Sequence, residues 1–137
     1  LGDLFHSKFS IDKTLQKKVE DLPELLKIKV ELVLGNHDVG CNIKNIKVLN
    51  NIKTKNIIFS HEPVCLADNK TLNICGHYHP KLYLKNERDK LSFRCFAMDN
   101  NKNTLFLPAF GDLTGGYPCK KSFKKWAIIS EKEILEI

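Results

Sequence analysis

Three times along the chain a short apolar run ends in a small residue followed by histidine or Asn-His: LVLGNHD at 32–38, NIIFSH at 56–61 and TLNICGH at 71–77. A fragment of the same pattern, LGD, stands at residues 1–3. Apolar runs this short, bounded by Gly, Ser and Asn, fit buried β-strands better than helices. Each run therefore delivers its polar residues to the end of a strand. Several strands with chemistry at their carboxyl ends define a layered α/β protein whose site lies along one rim of a sheet.

The remaining segments fill in the layers. Asp12 is placed to cap a helix over residues 13–28, with Leu15, Val19, Leu22 and Leu25 or Leu26 spaced for one buried face. Pro23 is expected to kink that helix or divide it in two near DLPELL. VELVLG at 30–35 reads as a short buried strand, and NIKNIKVLNN at 42–51 as an edge strand or irregular chain. In the second half, KLSFRCFAMD and NTLFLPAF flank NNKN as a hairpin, and KKWAIIS and EILEI flank EKE as another. No helix is expected there. The expected fold is a single domain over 1–137, a two-sheet sandwich flanked by helices.

Composition supports a packed domain: 42% of residues are apolar and 28% charged, among 137 in all. A chain of this length buries roughly two thirds of its unfolded surface. No stretch approaches the roughly 18 consecutive apolar residues of a membrane span. Cysteines at 41, 65, 75, 95 and 119 are odd in number and lack a Cys-x-x-Cys pair, which points to reduced intracellular thiols. The net charge of +6, carried by 20 Lys and 2 Arg, suits a polyanionic partner. KLYLK at 81–85 and PCKKSFKKW at 118–126 interleave lysines with aromatics, as a groove tracking a phosphate backbone does.

The rim residues are Asp3, Asn36, His37, Asp38, His61, His77 and His79, including four of the five histidines. A carboxylate, an amide carbonyl and several imidazoles form a mixed nitrogen and oxygen donor set suited to Mn, Fe or Zn. His77 and His79 share a face if the segment is extended; a turn sends them to two neighbouring ions. Asp3 has two oxygens with which to bridge such a pair. Two ions roughly 4 Å apart clamp a phosphoryl group and acidify a water, so no side-chain nucleophile is required.

In order, GD-x-x-H, GNHD, SH and GH-x-H resemble the calcineurin-like metallophosphoesterase superfamily. More narrowly, GDLFHS, LVLGNHD, FSHEP, ICGHYHP and LPAFGDLTGG resemble bacterial ligase-associated DNA damage response endonucleases. The resemblance implies that Asp3 bridges two divalent ions, Mn above Fe or Zn. It implies that Asn36, His61 and His77 complete one site and that His79 serves the other. His37 then stands near the leaving group, Asp38 orients it, and His6 lies behind the ligands. Superfamily members begin with a strand ending in Asp-x-His, a motif absent here, so the N-terminal strand region is expected to be missing. The implied activity is hydrolysis of phosphodiester bonds, in DNA, by a metal-activated water in the cytoplasm. DNA-repair proteins such as a ligase or helicase are the implied partners, and an uncovered sheet edge implies self-association. The alternatives are a phosphodiesterase or phosphatase for a small ester, and a non-catalytic module that binds nucleic acid or protein.

Overall fold

The computed structural model describes residues 1–5, 12–85, 89–111 and 114–137. Helix α1 (Lys13–Glu20) starts where expected, with the Asp12 carboxylate accepting the Leu15 N–H at 2.6 Å. Such a cap stabilises a helix by about 1 kcal/mol. The segment over 13–28 is divided in two near Pro23, one of the two outcomes expected of it. Asp21 closes α1, and α2 (Leu22–Leu26) opens with Pro23 in its first turn and stops at Lys27, whose φ of 53° is left-handed. The break rotates the second segment, so Val19 is buried while Leu25 and Leu26 face solvent. Leu15 on α1 is 40% exposed as well, so the expected buried stripe is corrected to Val19 with the half-buried Leu22.

Strand β1 (Glu31–Val33) pairs in parallel with β2 (Lys47–Leu49) in a two-stranded sheet. The helices pack here: Val19 and Leu22 join Phe5, Leu32, Ile43 and Ile46 in one apolar cluster. The remaining strands are β3 (Asn51–Lys53), β4 (Ile57–Ser60), β5 (Leu72–Cys75), β6 (Pro80–Lys85), β7 (Lys90–Asp99), β8 (Thr104–Phe106), β9 (Tyr117–Pro118), β10 (Lys124–Ser130) and β11 (Glu133–Glu136). They form a second sheet in the order β11-β10-β7-β8-β5-β4-β3, with β6 on β7 and β9 on β6. Both expected hairpins are present, Asp99 opposite Thr104 and Ala127 opposite Leu135. A third, β6 with β7, carries no turn signal that the sequence made plain.

Strands β4, β5 and β8 run parallel, with Ser60 beside Cys75 and Cys75 beside Phe106. Their carboxyl ends therefore open on one rim. Below it lies a second cluster of Cys75, Ala97, Phe106 and Phe123, with Tyr78 and Cys119 against it. Phe106 and Phe123 stack 5.6 Å apart. All five cysteines are free thiols. No described helix is long and apolar enough to cross a membrane.

Candidate metal centre

Four segments meet at the rim. The turn after β1 supplies Asn36, His37 and Asp38; the end of β4 supplies His61; the end of β5 supplies His77 and His79; residues 1–5 supply Asp3. The buried Asp38 carboxylate ties two of them together. One oxygen accepts the Phe5 N–H and the other the Gly35 N–H, each at 3.1 Å. Gly35 and Gly2 are required where they stand. A Cβ on Gly35 would collide with the Asp3 backbone and carboxylate, and one on Gly2 would collide with the His61 ring.

The centre is organised around the buried His61. Its Nδ1 lies 2.9 Å from the Leu1 carbonyl, an acceptor only, so in the neutral ring Nδ1 carries the proton and Nε2 a lone pair. That Nε2 faces Asn36 Oδ1 at 3.0 Å, His77 Nδ1 at 3.0 Å and Asp3 Oδ2 at 3.3 Å. Lone pairs pointing at one another repel unless a proton or a cation lies among them. Neighbouring donors around an ion with bonds of about 2.1 Å stand roughly 3.0–3.4 Å apart, so the spacing fits. Donor atoms of Asp3, His61 and His77 all lie within 4.8 Å of one another, one candidate metal site among the described residues. Its nitrogen and oxygen donors suit a borderline divalent ion.

The outer contacts hold these donors in place. Asp3 Oδ1 accepts the His37 backbone N–H at 3.0 Å, leaving Oδ2 for the centre. His77 Nε2 points toward Glu62 Oε1, 4.0 Å away. Burial lowers the His79 pKa, with the charge of Asp3 opposing and those of His77, His61 and Lys81 adding to the effect, and His79 stands outside the group formed by Asp3, His61 and His77. Asp3, His77 and His79 all have left-handed backbones, with φ of 54°, 56° and 47°. Each costs about 1–2 kcal/mol for a residue with a Cβ. The GHYH segment is therefore a turn, and the extended alternative does not apply. Tyr78 anchors it from below, ring against Phe106 and hydroxyl donating to the Pro118 carbonyl at 2.8 Å.

His37 is exposed on its turn. His6 lies outside the described residues. The aromatics in the basic stretches differ in fate: Phe123 is a core residue and not part of a groove, the Trp126 N–H donates to Glu136 at 3.2 Å, and the half-buried Tyr83 has Lys90 Nζ 5.0 Å from its ring centroid. Among the described residues the exposed rings are instead Phe110, in the loop after β8, and Tyr117, the first residue of β9, where no sequence period marked them.

Compared with known proteins, residues 1–129 match the model of the calcineurin-like phosphoesterase family. The chain belongs to that family. It is also similar to the crystal structure of Pseudomonas putida nuclease MPE, with 29% identity and a TM-score of 0.77. The likeness covers 93% of this chain and 64% of that one. No curated protein matches.

Proposed function

We propose that the chain carries the metal-binding rim of a metal-dependent phosphoesterase that hydrolyses phosphodiester bonds in nucleic acid, DNA first. The observation that carries this reading is the convergence of Asn36, Asp3 and His77 on the unprotonated nitrogen of His61. Membership of a phosphoesterase family and similarity to a nuclease support it, as does the charge of +6.

In this reading Asp3, Asn36, His61 and His77 hold one divalent ion, and Asp3 with His79 contributes to a second, manganese being favoured over iron or zinc. Such ions draw charge from phosphoryl oxygens and make water acidic enough to be a nucleophile near neutral pH. The protein's own groups orient and transfer protons. The Leu1 carbonyl fixes the His61 tautomer, the His37 N–H fixes the Asp3 carboxylate, and the exposed His37 imidazole holds the phosphate or protonates the leaving oxygen. Asp38 secures the turn on which His37 stands. The narrower assignment is a cytoplasmic DNA-repair nuclease of the ligase-associated type, working beside a ligase or helicase.

The test is metal content by elemental mass spectrometry after dialysis against manganese, followed by cleavage of DNA and of bis(p-nitrophenyl) phosphate. The expected result is bound metal, lost in H61A, with manganese-dependent cleavage of both substrates. A chain that takes up no divalent ion refutes the metal centre. One that binds metal and cleaves only the small diester refutes the nucleic-acid substrate.

A further inference from the structure

The loop between β8 and β9 is fastened at both ends to the histidine turn. The Leu107 N–H donates to the Cys75 carbonyl at 2.8 Å, just before His77, and the Tyr117 N–H donates to the His79 carbonyl at 3.2 Å. The two ends of the loop therefore adjoin the segment that carries His77 and His79. Within it Phe110 is 102% exposed, as open as a side chain in a free peptide. Its backbone is nevertheless fixed: the Arg94 guanidinium donates to the Ala109 carbonyl at 3.3 Å and to the Phe110 carbonyl at 2.9 Å. A large apolar ring held out in water by a clamped backbone calls for a partner. Tyr117, 64% exposed, repeats the arrangement, with one face stacked on Tyr78 at 5.9 Å. Lys81 lies against the preceding Gly116, where an added Cβ would meet its Cγ at 2.9 Å.

We propose that Phe110 and Tyr117, with Lys81 beside them, form a platform on which unpaired bases of single-stranded nucleic acid stack next to the metal rim. Aromatic faces accept any base, and a neighbouring cation tracks the phosphate between bases. Paired bases offer no such free faces, so the platform selects single strands. The excess positive charge of the chain complements this ligand. The inference relies on the proposed phosphodiester chemistry for its biological sense; the binding itself can be measured apart from it.

The experiment is fluorescence anisotropy of a labelled oligothymidylate with the full chain in chelator, over a series of salt concentrations. Wild type is expected to bind, F110A to bind about 5-fold or more weakly, and F110W to restore affinity. The dependence of log K on log salt is expected to keep its slope in F110A and to lose roughly one unit or less in K81Q. Y117A provides a second variant, and circular dichroism checks that each is folded. No binding by wild type, or equal binding by F110A, Y117A and wild type, overturns the proposal. Binding that depends on Phe110 in a chain that cleaves no diester refutes the proposed reaction and leaves the platform standing. Diester cleavage with F110A and Y117A binding as wild type does refutes the platform alone.

Discussion

Asp38 offers the sharpest test of how the rim is assembled. It has no exposed surface, and its two oxygens accept the backbone N–H groups of Phe5 and Gly35. Replacement by alanine leaves both donors without their acceptor. Hydrogen bonds to a charged group contribute about 1.5–3 kcal/mol each, so the pair contributes roughly 3–6 kcal/mol. Release of a carboxylate from burial offsets part of that, for a net loss of about 2–4 kcal/mol. With a urea dependence of about 1.5 kcal/mol per molar, the unfolding midpoint of D38A should fall by roughly 1.3–2.7 M. D38N retains one acceptor and should lie between D38A and wild type. Because the Phe5 bond holds the segment that carries Asp3, manganese affinity measured calorimetrically should fall as well. A D38A midpoint within about 0.3 M of wild type would refute the reasoning, since the carboxylate would then not be securing the segment.

Other consequences follow from the same packing. G2A places a Cβ 2.7 Å from His61 Cγ on a backbone with φ of 83°, so its melting temperature should drop by about 5–10 °C in calorimetry; an unchanged value would mean that Gly2 and His61 are not in contact. Burial pushes the Cys75 and Cys95 thiols up to about 12, whereas Cys65 is exposed, so a disulfide reagent at pH 8 should titrate Cys65 quickly and leave Cys75 and Cys95 until urea is added. Unfolded thiols ionise near 8.5, so their contribution to stability is complete below that pH and is lost as pH rises toward 12. The urea midpoint should accordingly decline above about pH 8.5, and a flat profile up to pH 11 would contradict the burial. E62Q should weaken manganese binding by about 2- to 10-fold, the lower end suiting a side chain this exposed. No change would show that Glu62 does not orient His77.

The sequence made the rim legible because its signals are local. An apolar run followed by Gly-Asn-His, Ser-His or Gly-His marks the end of a strand, and parallel pairing of β4 with β5 then brings His61 and His77 together without further instruction. The two hairpins were readable for the same reason, each lying around a short polar turn. Helix boundaries were harder: the apolar spacing runs past Asp21, but Pro23 starts a new helix and turns Leu25 and Leu26 outward. The lysine-rich stretch 118–126 does not present its Phe123 to solvent. The fate of Phe123 is set by Phe106 across the core, a partner 17 positions away that no local pattern indicates. The positive φ angles of His77 and His79, on either side of the Tyr78 that packs on Phe106, are likewise marked by no local pattern.

The Arg94 clamp has a consequence for how such a protein can change. Because the guanidinium grips carbonyl oxygens, and every amino acid supplies the same carbonyl, the hold on the backbone at 109–110 is independent of which side chain sits at position 110. That position works as an interchangeable socket. A single codon change there can offer a different ring, an aliphatic group or a charge to whatever approaches the rim, while the histidine turn behind it is untouched. Preference among ligands can thus drift, or be engineered, one residue at a time without reopening the problem of folding.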